Sequence, residues 1–587
     1  MRRAAALFAA CSSLALAAAA AAALPAAAQA DTNTLHSPAQ VNVPPRGFER
    51  SAVEVIAIAD RVPKVIAARA HRHNETTSQA YFKPGERWQV SYYDGRGHEI
   101  VQVLIDDRNG RVLEAWTGFQ VAWTMARGYP GAFGRKSNAV YVWLPMCALF
   151  FLAFFDRRRP RRLLHLDLLV LLAPSISFAF FNHGDIGLSV PLAYPALLYF
   201  LVRLLLVARS RARAIAAGAG ETAREPLYIA VSPWWLAVGL VFLIGFRVGL
   251  NVTNSNVIDV GYAGVIGAER IADGGPLYGS FPSDNQHGDT YGPVNYEAYL
   301  PFQQLLGWSG RWDDLPAAHL AAVVFDLLAM AGLYLLGLRI RGPTVALALA
   351  YAWAACPWTL LVLESNANDS LVAVLVLAAL LVCSSPLARG ATVALAGLTK
   401  FAALGLAPLF IAYRGDLRSA QPPPARRGRR RERVTRIGLF AFAFAICAFV
   451  AFVPVLGASW HTIYERTVGF QSSRASPFSP WGLYGSINWL QTTVQLLAVG
   501  LALVVAVFPR RRDAISLAAL AGAVLIALQL GVTHWFYLYM VWFLPLLFVG
   551  ILAPFAEPAA VAATVSERPE RQAAAARSPR LQAAPSP

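Results

Sequence analysis

The sequence predicts an all-α polytopic membrane protein of about 10–11 transmembrane helices plus a re-entrant segment, preceded by a small exported α+β domain. Three observations carry this. The chain is 56% hydrophobic and only 14% charged, and apolar stretches recur from Val140 to Val549. Its net charge of +17 gathers in arginine runs beside those stretches, at Arg157 to Arg162, Arg209 to Arg213, Arg426 to Arg436 and Arg510 to Arg512. That is the positive-inside pattern, so the charge reports topology and not a nucleic-acid partner. The N-terminus reads Met1-Arg2-Arg3, an Ala/Leu-rich run, then Ala28-Gln29-Ala30 before Asp31. Residues 1–30 thus have the three regions of a cleavable signal peptide, and the chain from Asp31 onward is expected to be exported.

Residues 31–137 form the exported domain. Glu49 to Ala70 has the spacing of an amphipathic helix, and Trp88 to Tyr92, Ile100 to Ile105 and Arg111 to Trp116 alternate as strands. Turn signals at Asp94-Gly95-Arg96-Gly97 and Asp106 to Gly110 separate them, predicting a helix and a three-stranded antiparallel meander. With its "VQVLIDDRNGRVLEAWTG" this stretch resembles a PepSY-type module, which implies an exported binding or regulatory unit without catalysis. Cys11 lies in the signal and Cys147, Cys356, Cys383 and Cys447 in apolar segments, so no disulfide or metal framework is expected.

Spans are expected near 140–155, 163–181, 188–207, 234–250, 316–338, 343–363, 366–383, 437–457, 488–508, 513–530 and 533–553. The first three make a transmembrane linker region, 138–230, ahead of a core at 231–553. Segment 391–413 breaks the alternation, because a full span there would put the nine arginines of Arg414 to Arg436 outside. It is expected to be re-entrant, a broken pair of half-helices with Gly397 and Gly405 near the turn and both ends cytoplasmic. The tail, 554–587, is rich in Ala, Pro and Arg and is expected to be a disordered cytoplasmic appendage.

The outer loop 251–315 is acidic in a basic chain: Asp259, Glu269, Asp273, Asp284, Asp289, Glu297, Asp313 and Asp314 stand against Arg270 and Arg311. Asp259 follows the outer end of a span, and Tyr262 and Asp273 continue on a juxtamembrane helix, where Glu269 and Asp273 share a face. Asp289 and Tyr291 precede a Gly-Pro turn. A carboxylate at this interface could act as general base on a hydroxyl, although acidic residues also simply keep such a loop soluble. Lys400 is alone in a 23-residue segment without other internal charge, which points to a partner or a polar cavity, or to a lysine snorkelling to the cytoplasmic face. Arg474, among Ser472, Ser473 and Ser476, suits a phosphate, or is an ordinary loop arginine. Glu364 to Asp369 places two carboxylates and two amides where they could meet sugar hydroxyls, or forms a polar turn. His534 opens the last helix in an aromatic belt. Asp284, His287 and Asp289 could hold a divalent cation, but loops carry such clusters without metal, so no cofactor is assigned.

The order of a span, Asp259-x-x-Tyr262, Gly274 to Tyr278, Tyr291 to Pro293, Leu398-Thr399-Lys400, Leu406-Ala407-Pro408-Leu409 and a final aromatic-Pro helix resembles GT-C class polytopic glycosyltransferases, most closely the mannosyltransferase-like glycosyltransferase family 87. The resemblance covers about 230 to 553. It implies an inverting hexosyltransferase, with mannose as one candidate sugar, at the outer face of a bacterial plasma membrane. It further implies a polyprenyl-phosphate sugar donor, an acceptor that is a glycan, lipid or protein, and Asp259 as catalytic base. Tyr262, Asp273, Asp289, Tyr291, Glu364, Asp369, Lys400, Arg474 and His534 are the candidate substrate-binding residues. The rival is a transporter or a ligand sensor that uses the exported module. A transporter should show repeats with paired broken helices, and a sensor a cytoplasmic output domain; neither is visible in the sequence.

Overall fold

A computed structural model describes residues 35–70, 76–129, 131–217, 225–312, 315–415, 417, 429–474 and 476–556. The expected signal peptide, Asp313, Asp314, most of the arginine loop before 429 and nearly all of the expected tail lie outside the described residues.

The N-terminal unit is a four-stranded antiparallel sheet, β1 (Thr77–Lys83), β2 (Arg87–Tyr93), β3 (Glu99–Asp106) and β4 (Val112–Thr117), in the order β1-β2-β3-β4. The three expected strands are present, and β1 is an addition. Its Thr-Ser-Gln-Ala-Tyr-Phe-Lys sequence alternates weakly and only one residue is buried, which is why periodicity missed it. The single expected helix is two, Ala52–Ala59 and Pro63–Ala70. Pro63 cannot donate within a helix and restarts one at its first turn. Trp88, Val90 and Tyr92 of β2 and Val101, Val103 and Ile105 of β3 point to these helices and form a dry core. Buried Asp107 accepts from Trp88 Nε1 (2.9 Å) and from the amides of Glu49 (2.6 Å) and Arg50 (3.1 Å), tying the β3–β4 turn to the helix entry.

The rest is helical. Among the described residues six helices are long and apolar enough to cross a membrane: Leu163–Asn182, Ile186–Ala216, Pro233–Asn254, Pro316–Ile340, Arg431–Val455 and Gly485–Val507. Pro343–Ala355 and Pro357–Glu364, bent by 56°, make a seventh if counted as one span. This is a multi-pass membrane protein. The other expected spans are shorter apolar helices: Val140–Leu152, Asp369–Leu381, Ala514–Leu530 and Tyr537–Leu552. Ala514–Leu530 is buried at nearly every position, as an all-round apolar helix should be when it packs inside a bundle. Arg431–Val455 and Gly485–Val507 are by contrast largely exposed along their apolar lengths.

One hydrophobic core runs from Ala126 to Ala553. The helices of the 138–230 region are part of it: Leu204 packs against Gly522 and Gly550, and Arg211 Nε donates to Asp513 at 3.0 Å. Around Lys400 the chain reverses. Helix Pro386–Thr399 ends at extended Lys400 and returns through a 3-10 turn, Phe401–Leu406, and Ala407–Ala412. Leu404 folds onto Gly397. Gly390 abuts the Phe440 carbonyl and Gly415 the Arg512 carbonyl, so the two limbs start and finish at the arginine-rich end of the bundle.

Candidate functional site

Asp259 is the first residue of helix Asp259–Ala272. What positions it is close backbone packing: a Cβ on Gly261 would fall 2.2 Å from the Asn366 carbonyl, so only glycine lets this helix press on the 364–369 turn. That turn is itself fixed by Asn366, a left-handed residue (φ 48°) whose Nδ2 donates to Ser255 Oγ and to the Asn256 carbonyl, both at 3.0 Å. Its Oδ1 accepts from Asn251 at 2.9 Å. The next helix begins at Asp369, beside the start of the Asp259 helix.

Asp369 is buried and meets Lys400: Nζ donates to Oδ1 at 2.6 Å, and Trp542 Nε1 donates to the same oxygen at 2.7 Å. Lys400 Nζ stands over three aromatic faces, Tyr291 (5.1 Å), Trp542 (5.1 Å) and Tyr539 (5.3 Å). A desolvated ammonium gains from ring faces as well as from its carboxylate. Gly292 brings Tyr291 here, since a Cβ on it would overlap the Leu398 carbonyl. Tyr291 is also held by its backbone, which accepts from Tyr278 Oη (2.9 Å) and donates to Tyr296 Oη (3.2 Å).

The opposite wall comes from the 464–485 loop and the segment before the last helix. Arg474 lies over Trp123 (5.1 Å) and Phe470 (5.6 Å), and its Nε has no hydrogen-bond partner among the described residues. His534 Nδ1 pairs with Ser476 Oγ at 2.8 Å, and its ring packs on Trp123 and Phe478. Asp259 opens into this recess and is exposed to it. The surrounding protein nevertheless strips it of water and pushes its carboxyl above the ordinary range. The charges of Arg474 and Lys400, and the Val260 N–H that its Oδ1 accepts at 3.0 Å, pull the other way. Burial likewise raises Tyr291 well above the ordinary phenol, with the Asp259 carboxylate adding to it. Asp259, Tyr291, Asp369, Lys400, Arg474 and His534 therefore share one recess.

Tyr262, Asp273, Asp289 and Glu364 are not brought to it. Tyr262 turns away, packed on Trp308 and Trp312 with its Oη donating to Asp284 at 3.2 Å. Asp273 caps the far, exposed end of its helix. Asp289 is buried and taken up by Arg466 (2.6 and 2.7 Å) and the Gly279 amide (2.6 Å). Glu364 faces Gly134 and the Arg247–Asp326 pair. The 364–369 turn thus contributes one carboxylate, Asp369, because its amides are spent on backbone and on Asn295 (2.7 Å from Asn368). Among the described residues no three His, Cys, Asp or Glu side chains gather as metal ligands, and Asp284 and Asp289 have separate partners.

Trp123, Trp542 and Tyr539 are the residues that sequence reasoning did not place. Trp542 and Tyr539 stand three apart at the start of the last helix, where the aromatic belt explained them adequately. Trp123 had no signal of its own. No family model matches the chain, and no curated protein matches it.

Proposed function

We propose that this protein is an integral-membrane hexosyltransferase, in which an acceptor hydroxyl displaces the phosphate of a polyprenyl-phosphate sugar in one inverting step. The observation that carries the reading is the recess itself: an exposed carboxylate of raised pKa, Asp259, opposite an arginine, Arg474, whose Nε lacks a partner among the described residues. Asp259 takes the hydroxyl proton as the acceptor oxygen bonds to the sugar carbon, and the bond from that carbon to the phosphate oxygen breaks. A base of raised pKa is better matched to neutral solution than an ordinary aspartate. Arg474 offsets the charge that grows on the leaving phosphate, an effect largest where water is excluded.

Lys400 is already paired with Asp369, so its role is to hold the aromatic wall and add positive field. The short helices around the recess complete about 10–11 crossings, counting those that fall below a full ~30 Å hydrocarbon thickness. On this topology the recess and the PepSY-like domain lie at the outer face of a bacterial plasma membrane, with the arginine-rich end inside. The test is transfer of radiolabelled sugar from a panel of polyprenyl-phosphate hexoses into a membrane extract by the purified protein. Transfer from one donor names the sugar. Silence across the panel from folded protein refutes the reading in favour of a transporter or sensor.

A further inference from the structure

The sheet has two faces, and the helices cover only one. On the other, alternate residues of the four strands line up: Lys83 of β1, Arg87 and Gln89 of β2, Gln102 and Leu104 of β3, Glu114 and Trp116 of β4. The chain leaving β4 folds back over this face as a connector, described at 118–129 and 131–134, and leaves a cavity of about 450 Å³ between the two. Among the described residues the one carboxylate lining it, Glu114, accepts from Trp116 Nε1 and Tyr129 Oη, both at 2.7 Å, and so sets the two rings at 70° to each other, 6.5 Å apart. Arg127 is fixed by the carbonyls of Gln120 (2.8 Å) and Val121 (3.0 Å) and donates to Gln102 Oε1 across the cavity. The lining combines three cations, Lys83, Arg87 and Arg127, with the amides of Gln89 (Nε2 donating to Ser91 Oγ, 3.2 Å) and Gln102 (Oε1 accepting from Arg127). It also holds the two rings, of which Trp116 already carries Lys64 (5.1 Å) and Arg127 (5.7 Å) over its face, and an apolar remainder that includes Leu104 and Phe133. Ring faces suit the apolar side of a pyranose, amides its hydroxyls, and guanidinium groups a carboxylate or phosphate on it.

The connector is shared with the recess. Thr124, Met125 and Arg127 line the cavity, while Trp123, next in the chain, lies on Arg474 and His534. Further on, the Gly134 amide donates to Asn256 Oδ1 (2.7 Å) and Asn256 Nδ2 to the Ala132 carbonyl (2.9 Å), three residues before Asp259. We infer that this cavity binds an anionic saccharide, the acceptor of the transfer, and that the connector passes its end over Trp123 to Asp259. The inference rests on the transferase reading for the acceptor role, but not for the binding.

The experiment measures binding of hexagalacturonate and of neutral maltohexaose to the full-length protein in detergent, for wild type, Arg87→Ala and Trp116→Ala. Arg87 is exposed and Trp116 only partly buried, so both variants should fold. Expected is saturable, salt-sensitive binding of hexagalacturonate at least roughly tenfold tighter than of maltohexaose, weakened roughly tenfold in each cavity variant. No saturable binding, equal affinity for the two saccharides, or affinity untouched by both cavity variants overturns the inference. Saccharide binding without transfer from any polyprenyl-phosphate hexose would instead refute the transferase reading and leave the binding site standing, with its acceptor role removed.

Discussion

The Arg247–Asp326 and Lys400–Asp369 pairs each set a cation and a carboxylate 2.6 Å apart among apolar helices, yet their surroundings differ. Arg247 spends four of its five N–H donors on structure: two bonds to Asp326, one to the Ala354 carbonyl (3.1 Å) and one to Thr359 Oγ1 (3.3 Å). Trp353 Nε1 fills Asp326 Oδ1 at 2.7 Å. These partners flank the 56° break at Cys356-Pro357, so the pair clamps a bent span. Lys400 instead has one carboxylate oxygen and three ring faces, and its field reaches an exposed carboxylate, Asp259. An intramembrane charge is expensive and invites a functional explanation. The difference lies in what is left over once the local partners are counted.

That contrast predicts different failures. The largest effect should be on folding: Asp326→Ala leaves a buried guanidinium unpaired and should cost about 3–5 kcal/mol, seen as loss of monodisperse protein on size exclusion. Arg247→Met with Asp326→Leu should restore most of it, since a buried pair exchanged for apolar groups is often neutral. Recovery failing in the double variant would mean that Arg247 acts beyond the clamp. Arg474→Ala should leave thermal unfolding near wild type and lower transfer roughly 10²-fold or more, with Arg474→Lys intermediate because a point charge lacks the bidentate fork. Unfolding of Arg474→Ala at much lower temperature would make it a structural arginine like Arg247. The smallest effect is expected from Trp542→Phe, which removes one hydrogen bond to Asp369 and should cost only about 1 kcal/mol, about fivefold in rate.

Titration sharpens the same contrast. The folded pKa of Asp259 is raised, so the folded state holds its proton more tightly than the unfolded chain. Its contribution to stability is present below the unfolded pKa and is lost as pH rises through the folded pKa. Transfer needs the deprotonated form, so rate should rise with pH over that same window, above the ordinary carboxylate range, while stability declines. Glu297, half-buried and pushed up to about 7 by burial, is another carboxyl of the outer loop that could mimic this limb, and Glu269 is likewise raised by burial. A pH–rate profile that keeps the wild-type acid limb in both Glu297→Gln and Glu269→Gln assigns it to Asp259, and disappearance of the limb in either assigns it to that glutamate.

Much of this was readable in the sequence, for reasons that also explain the gaps. Apolar length marked the spans, and the nine arginines from Arg414 to Arg436 argued for the reversal at 391–413, whose turn the structure puts at Lys400 between Gly397 and Gly405. Charge in an apolar setting singled out Lys400, and position relative to a span singled out Asp259. Direction was not readable. Tyr262 sits one turn from Asp259 but on the face that packs against tryptophans. Asp289 and Glu364 looked as available as Asp369, and only the fold tells which of them Arg466 takes up or the helices cover. Trp123 is more than a hundred residues from anything it touches in the recess, so no local pattern could place it.

The central claim is that Asp259 is the base, and the most direct test compares sugar transfer by wild type and Asp259→Asn at equal folded fraction, with the donor that wild type uses. The account predicts a fall of at least roughly 10²–10⁴-fold, the usual share of a general base, with thermal stability at neutral pH equal to or above wild type because a desolvated charge has been removed. Transfer within a few-fold of wild type would contradict it.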